Sequence, residues 1–464
     1  MRKHTSANII CRFTTLLLFI LCFIILSASV VSAAEPGLDE TFDQNGTGFW
    51  QDCVSYPSFG DVKASMLYEI RSDQILYANN ADLTLYPASI VKVMSGALLC
   101  EIFEYRMEET ITVTSAMLAG AEGNSMKLKR DETVTVKDLL YGLIVGGYND
   151  CANVLAVVSS GSVGAFVDRM NAKALSIGAD RTHFTNASGL HHDEMVTTAR
   201  DLLKICVFAL QNDTYRIIAA TERYLCPRTN LSDERLFYNR SDLVTQFRTN
   251  AFYDSRCIGL NAGYTDEGGY CAVTFTHSDS ASFLCLALGG TESKTGNISS
   301  YSEIIKLLDW GEAKFGTRVL VKPGDKVLEL PVSGFSTVTK MPLTVSEELI
   351  AFAPVSLDLD DLSESQFRLT ASSLTPPIEK NAEVGYVRLV FQGRDLGTGK
   401  LVCTEEAGLQ GLAGLLNRIR LFEKNIVVQV SFVSFVLLSL ILTLVIRHNY
   451  VKKRKMSRYF YGFK

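Results

Sequence analysis

A serine and a lysine stand one helical turn apart in the stretch YPASIVKV, residues 86–93. If a helix begins near Ser89, its hydroxyl and the amine of Lys92 share one face, because residues three apart are neighbours on a helix. A helix N-terminus favours a developing alkoxide, and a lysine removed from water loses its proton more readily. The two residues can therefore act as a nucleophile with its base. A Ser-x-x-Lys tetrad is also common by chance, so two ordinary helical residues are the alternative.

The surrounding pattern predicts a layered domain with this pair in its middle. The runs KASMLYEI and QILYA predict a hairpin, and the residues after Ser89 leave almost no polar face, which is typical of a buried helix. Strands first, helices next and strands last indicate an α/β or α+β fold with a largely antiparallel sheet. The predicted helices are 136–147, 151–160, 163–178, 199–211 and 304–315, and the predicted later strands are 257–262, 270–276 and 282–289.

The other segments divide the chain further. Residues 34–61 have no period and form a lead-in to the domain 62–316. From 317 to 405, apolar and polar residues alternate with Gly and Pro at the turns, which predicts a small all-β sandwich. Residues 406–425 predict an amphipathic juxtamembrane helix.

Both ends of the chain carry membrane signals. Residues 1–33 join basic residues, an apolar run and a small-x-small pattern, which predicts a secretion signal, with an uncleaved anchor as the alternative. Residues 426–446 hold no charge and have the length of a membrane-spanning helix. The tail 447–464 is basic, so the positive-inside rule predicts a cytoplasmic tail and an extracytoplasmic ectodomain, residues 34–425.

Composition excludes some classes of partner. The formal net charge of -5 gives no overall basic field, so nucleic acid is not an expected partner. Of the 11 cysteines, Cys11 and Cys22 lie in the signal, and the others show neither a Cys-x-x-Cys pair nor zinc spacing. We therefore expect no disulfide framework, with single bridges among these cysteines as the open alternative, and no metal site or cofactor.

With its preceding hairpin and the buried helix that follows, YPASIVKV resembles the first motif of serine-type D-alanyl-D-alanine carboxypeptidases. These enzymes are low-molecular-mass penicillin-binding proteins. The resemblance continues through 123–145, 166–191, 197–203 and 263–271, and less specifically through the β-rich segment. It implies a penicillin-binding-protein or β-lactamase-like transpeptidase fold, followed by a small β domain and a C-terminal transmembrane helix. It also implies that β-lactam antibiotics acylate the nucleophile.

Two motifs depart from the family pattern. Where the family has Ser-x-Asn, this chain has Gly147, Tyr148 and Asn149, so only the asparagine is left to hold substrate. Where the family has Lys-Thr-Gly, it has Asn261 and Gly263 on either side of an alanine, so the lysine charge is lost. Losing such a charge-assisted contact costs about 2 to 5 kcal/mol.

Other groups can replace what is missing. Arg200 is the candidate substitute for the lost charge, and its alternative is a structural ion pair with Asp201 or another acid. The Tyr148 hydroxyl or a water can take the place of the missing serine, and His191 and His192 are further candidates. The resemblance places the oxyanion hole at the backbone amides of Ser89 and of the edge strand near Gly263.

The sequence therefore predicts an exported, membrane-anchored serine D-Ala-D-Ala carboxypeptidase that acts on peptidoglycan stem peptides. Catalysis is assigned to Ser89, Lys92 and Asn149, and substrate binding to Asn261, Gly263 and Arg200. One alternative is a non-catalytic protein that binds peptidoglycan or regulates wall synthesis. The other is a β-lactamase-like hydrolase, which the absence of a deacylating glutamate motif disfavours.

Overall fold

The computed structural model describes residues 48–58, 60–334, 336–358, 361–362, 365–411, 415–416 and 426–460. The predicted secretion signal, most of the predicted juxtamembrane helix and the end of the basic tail lie outside these residues. The chain separates into two compact units, residues 1–317 with 352–357 and residues 318–351 with 358–464.

An antiparallel sheet of five strands forms the centre of the first unit. Its strands are β1 (Ala64–Glu69), β2 (Gln74–Asn79), β7 (Cys257–Thr265), β8 (Gly269–Thr276) and β9 (Phe283–Gly290). Their order is β2-β1-β9-β8-β7, so β7 is an edge strand. Every residue of β1 and β9 is buried, and β9 reads as an unbroken apolar run, whereas β1 also buries the polar Ser65 and Glu69. The predicted hairpin and the three predicted later strands are confirmed.

Helices cover both faces of this sheet. The helices described in this unit are α1 (Val91–Ile102), α2 (Ser115–Leu118), α3 (Val136–Ile144), α4 (Asn149–Ser160), α5 (Val163–Ser176), α6 (Ala199–Leu210), α7 (Asp213–Ala219) and α8 (Ser299–Lys314). Leu284 and Leu286 of β9 share a core with α1 and α6, whereas Phe283 lies near Gly311 of α8. Because neighbouring strand residues point to opposite faces, α1 and α8 lie on opposite sides of the sheet.

Short polar side chains start the helices around the sheet. Thr135, Ser162, Thr198 and Asn212 each accept a hydrogen bond from a backbone amide in the first turn of the helix that follows. Helix α1 has no such cap, but all of its residues from Val91 to Cys100 are buried, so packing stabilises it. The central helix predicted after Ser89 is confirmed.

Two small two-stranded sheets and the lead-in complete the first unit. They pair β3 (Thr110–Thr112) with β4 (Thr133–Thr135) and β5 (Arg223–Cys226) with β6 (Arg235–Tyr238). In the lead-in, Trp50 is fully buried and its ring nitrogen donates to Gln74. From residue 48 onwards, the lead-in is therefore held against the domain by large aromatic side chains, Trp50 and also Tyr56, whose ring packs against Trp310.

The second unit is a separate β region followed by a long helix. Its antiparallel sheet has the order β11-β12-β16-β15-β14, with strands β11 (Leu328–Pro331), β12 (Lys340–Val345), β14 (Gln366–Leu369), β15 (Glu383–Phe391) and β16 (Arg394–Cys403). Strands β10 (Phe315–Val321) and β13 (Leu349–Pro354) lie where the chain passes from one unit to the other. Helix α9 (Ile426–Phe460) contains a stretch, 429–451, with a mean hydropathy of 2.4, long and apolar enough to cross a membrane.

Of the cysteines in the described ranges, eight are buried as thiols: Cys100, Cys151, Cys206, Cys226, Cys257, Cys271, Cys285 and Cys403. Burial raises the pKa of each of them, for example to about 11 for Cys271. These side chains therefore behave as small apolar residues of the core.

Candidate active site

Ser89 lies in a tight turn at the entrance to α1. Pro87 precedes a single 3-10 turn, Ala88–Ile90, and α1 begins at the next residue. Ala88 has a φ of +48°, which is a strained conformation for alanine. The serine therefore sits on a bent segment of backbone at the positive end of a buried helix.

Lys92 is buried beside Ser89. Its side chain is 1% exposed, and Nζ lies 3.4 Å from Ser89 Oγ and 2.5 Å from the backbone oxygen of Ser188. Asn186 holds that loop in place by accepting hydrogen bonds from the amides of Ser188 and Gly189. Burial, followed by the positive charge of Arg240, lowers the pKa of Lys92 from 10.5 to about 7. Near neutral pH, a large fraction of Lys92 is therefore an uncharged amine that can accept a proton.

The edge strand β7 touches the nucleophile at Gly263. A Cβ added to Gly263 would lie 2.4 Å from Ser89 Cβ and 2.9 Å from Ser89 Oγ. Only glycine allows this approach, because such distances are far below van der Waals contact. The closeness of strand and serine fits an oxyanion hole between their backbone amides.

Asn261 lies on the same face of β7 as Gly263, two residues earlier. It is 3% exposed, and in the described part of the chain neither its amide nitrogen nor its oxygen has a hydrogen-bond partner. A buried polar group without a partner is costly. Asn261 therefore presents an unsatisfied donor and acceptor towards the side of the sheet that holds Ser89.

Asn149 begins α4 and is also incompletely satisfied. Its Nδ2 donates to the Glu122 backbone oxygen at 2.6 Å, whereas its buried Oδ1 has no partner among the described residues. Two residues later, Cys151 lies close enough to Lys92 to influence its pKa. The amide of Asn149 is thus held by the loop between α2 and β4, and its oxygen stays unused as an acceptor within the described residues.

The side chain of Arg240 occupies the space beside Gly147. Gly147 has a φ of +66°, and a Cβ there would lie 2.7 Å from Arg240 Cγ. The ring of Tyr148 packs edge-on against Phe237, with centroids 5.1 Å apart, and so does not occupy this space. The left-handed backbone at Gly147 also explains why α3 ends before the predicted residue 147.

Arg200 is held by an acid. Its Nε and Nη2 each lie 3.0 Å from a carboxylate oxygen of Asp82, and this pairing lowers the pKa of Asp82. The acid differs from Asp201, which instead accepts from the amide of Arg181 and the hydroxyl of Thr182. The role of Arg200 as substitute anchor stays a prediction.

His191 and His192 lie at the surface near the turn that carries Ser89. The His191 ring packs edge-on against Tyr86, with centroids 4.8 Å apart, and lies within 3.6 Å of the Asp193 and Glu267 carboxylates. His192 accepts a hydrogen bond from the amide of Glu194. Both rings thus have local polar contacts.

A cavity of about 300 Å³ adjoins Gly263. Its lining includes Arg240, Arg248 and Asp242, which follow β6, together with Ser300 and Tyr301 at the start of α8. Sequence reasoning missed these residues, because nothing in the local sequence distinguishes Arg240 from the other arginines.

Comparison with known proteins gives consistent results. The sequence model of one family, described as D-alanyl-D-alanine carboxypeptidase, matches residues 54–291. The carboxypeptidase DacF of Bacillus subtilis is 26% identical over 77% of this chain and 89% of its own length. The carboxypeptidase DacA of Escherichia coli is 27% identical over 75% of this chain and 83% of its own.

Solved structures agree in fold. Penicillin-binding protein 5 of Haemophilus influenzae has a TM-score of 0.55 at 23% identity, covering 76% of this chain and 99% of its own. The carboxypeptidase DacD of Francisella tularensis has a TM-score of 0.56 at 20% identity, covering 77% and 96%. The predicted fold class is confirmed.

Proposed function

Because the chain belongs to the D-alanyl-D-alanine carboxypeptidase family, we propose that it removes the terminal D-Ala from peptidoglycan stem peptides. One observation carries this proposal. The Ser89 hydroxyl lies between the buried amine of Lys92, 3.4 Å away, and the edge strand at Gly263. On one side the hydroxyl has an amine that can lose its proton and act as base, and on the other it has the backbone amides of a strand. This arrangement is suited to acyl transfer.

The reaction begins with attack of Ser89 Oγ on the carbonyl carbon of the penultimate D-Ala. Lys92, as the uncharged amine, takes the hydroxyl proton and returns a proton to the nitrogen of the departing D-Ala as the C–N bond breaks. Water then attacks the ester on Ser89, which releases the shortened peptide and restores the hydroxyl. During both steps, the amides of Ser89 and of β7 near Gly263 stabilise the negative oxygen.

Two asparagines complete the proposed substrate contacts. The unpartnered Oδ1 of Asn149 can accept from a peptide N–H, and the unpartnered amide of Asn261 can both donate and accept. Arg200 stays a predicted contact for the substrate carboxylate, for which it would have to share its guanidinium with Asp82.

A second candidate function is a non-catalytic protein that binds peptidoglycan or regulates its synthesis. Gly147 and Asn261 favour it, because the side chains that the family uses for proton relay and charge are missing at these positions. The test is turnover of a stem pentapeptide by the full-length protein in detergent micelles, followed by mass spectrometry. Loss of one D-Ala with wild type and not with Ser89→Ala supports the carboxypeptidase, whereas an intact pentapeptide with both supports the second candidate.

The proposed cellular setting is the outer face of a bacterial membrane. We propose that residues 62–316 are the catalytic domain and 317–405 an accessory β domain, and that the apolar part of α9 anchors both. The basic residues after 446 support a cytoplasmic tail, which leaves the catalytic domain on the wall side. β-lactams are proposed as acylating inhibitors of Ser89.

A further inference from the structure

Helix α9 continues well beyond its uncharged stretch. The uncharged run ends at Ile446, but the helix continues without a break to Phe460. At a rise of 1.5 Å per residue, residues 447–460 add about 21 Å to the helix, compared with roughly 30 Å for the hydrocarbon core of a bilayer. If the apolar part spans the membrane as proposed, this helical extension projects from one face of the bilayer.

The helical extension carries only positive formal charge. Its basic residues are Arg447, Lys452, Lys453, Arg454, Lys455 and Arg458. The sequence contains no Asp or Glu between Asn425 and its last residue, Lys464. Like charges one turn apart destabilise a helix, and an acidic residue three or four positions away would relieve that repulsion. Because this helix contains no such acid, the neutralising negative charge has to come from outside it.

The four adjacent basic residues 452–455 lie close to the level of the lipid headgroups. If the hydrocarbon core ends at Ile446, a straight helix places the backbone of these residues about 9 to 14 Å beyond it. The headgroup layer occupies roughly 5–7 Å on each side of a bilayer, and the Debye length at physiological ionic strength is about 8 Å. All four residues are therefore within one Debye length of the headgroup surface. Arg458, about 18 Å beyond Ile446, lies outside that distance.

We infer that the helical extension binds the headgroups of anionic phospholipids, and that residues 452–455 provide most of the attraction. The inference rests on the proposed membrane anchoring by α9 and is independent of catalysis. The phosphate and net negative charge of such a headgroup are what Lys and Arg side chains pair with. The membrane is favoured over a soluble polyanion because the same helix is embedded in it, so the lipids are always within reach. The protein then selects the lipids that surround its own anchor.

Spin-labelled lipids measure this contact directly. The full-length protein is reconstituted into phosphatidylcholine bilayers that contain a trace of spin-labelled phosphatidylglycerol or spin-labelled phosphatidylcholine, and electron paramagnetic resonance gives the fraction of each label that the protein immobilises. One basic residue near the surface favours an anionic lipid about fivefold. We therefore expect phosphatidylglycerol to associate about fivefold more strongly than phosphatidylcholine at low salt. In roughly 1 M NaCl, where the Debye length is about 3 Å, this preference should nearly disappear.

Substitutions within the helical extension separate charge from other effects. Glutamine at all four positions 452–455 should reduce the preference for phosphatidylglycerol to less than about twofold, because Arg447 is then the only basic residue left near the headgroups. A variant with Lys452→Arg, Lys453→Arg and Lys455→Arg keeps the charge and should keep the full preference.

Arg458→Gln is the matched control. It removes one positive charge from the same helix, but at a position beyond one Debye length from the headgroups, so the preference should stay at its wild-type value. Labelling of Ser89 by a fluorescent penicillin, measured on each variant, shows that the rest of the protein is still folded.

Several outcomes would overturn the inference. They are equal association of the two lipids with the wild-type protein, a preference that survives glutamine at 452–455, and a preference that high salt leaves unchanged. An oligonucleotide that abolishes the preference at physiological salt would identify a soluble polyanion as the ligand instead. Failure of the proposed anchoring is distinguishable, because a protein that does not span the bilayer would immobilise neither spin-labelled lipid.

Discussion

Alanine in place of Gly263 tests the contact between the edge strand and the nucleophile. The added Cβ would lie 2.4 Å from Ser89 Cβ and 2.9 Å from Oγ. Carbon atoms in contact stand about 3.5 to 4.0 Å apart, so strand and serine must separate by roughly 1 Å. A displacement of about 1 Å near a reacting centre costs on the order of 100-fold in rate. We therefore expect acylation of Ser89 to slow by about 100-fold.

The assay is labelling of the full-length protein by a fluorescent penicillin, followed over time on a gel. Overpacking typically costs about 1–3 kcal/mol, so the unfolding temperature is measured in parallel to show that Gly263→Ala is still folded. Gly316→Ala is the control, because Gly316 is also a strand residue but an added Cβ would have no heavy atom within 4 Å. Labelling of Gly263→Ala at the wild-type rate would refute the contact, and equal slowing of Gly316→Ala would show that the effect is not specific.

The pKa of Lys92 predicts how acylation depends on pH. The labelling rate should rise about tenfold per pH unit at low pH and level off above the pKa of about 7, whereas a rate that still rises at pH 10 would contradict Lys92 as the base. The pKa of Lys92 is about 7 in the folded protein and 10.5 in the unfolded chain, so the unfolded chain binds more protons between these two pH values. The denaturant concentration at the midpoint of unfolding should therefore rise with pH from about 7 to 10.5, and it should rise less in Lys92→Met. Gly147→Ser should slow labelling, because the serine would have a φ of +66° at a cost of about 1–2 kcal/mol and would push against Arg240; faster labelling would show that the space is open. Protease added to intact protoplasts should remove residues 34–425 from the membrane fraction, and protection of that region would reverse the proposed orientation.

The sequence predicted the structural features that depend on residues close to one another in the chain. The spacing of Ser89 and Lys92 predicted that their side chains share a face, and their polar atoms do lie 3.4 Å apart, because residues one helical turn apart are neighbours. The helices capped by Thr135 and Thr198 begin within one residue of their predicted starts for the same reason. The predicted end of the first of these helices at 147 was wrong, because apolar periodicity does not report the left-handed backbone at Gly147.

Contacts between distant parts of the chain could not be predicted in this way. From the motifs alone, Gly147 marks a missing serine and Asn261 a missing lysine, at two unconnected positions. The fold shows in addition that the side chain of Arg240 fills the space beside Gly147. Arg200, which sequence order places in a segment near the site, is paired with Asp82 from the loop before Ser89. The residues that a side chain contacts depend on how elements far apart in the sequence pack against each other. The local periodicity of a single sequence does not report that packing.

The buried thiols have a practical consequence for handling the protein. Eight cysteines are shielded by the core and have raised pKa values, so a thiol reagent at neutral pH meets almost no thiolate there. Expression in a reducing cytoplasm removes no stabilising crosslink from these positions. With residues 1–33, which hold Cys11 and Cys22, removed and the partly exposed Cys53 changed to serine, a cysteine placed at a chosen surface position would become the preferred site for a maleimide dye. The protein could then carry a single fluorophore beside its cleft without any redesign of the core.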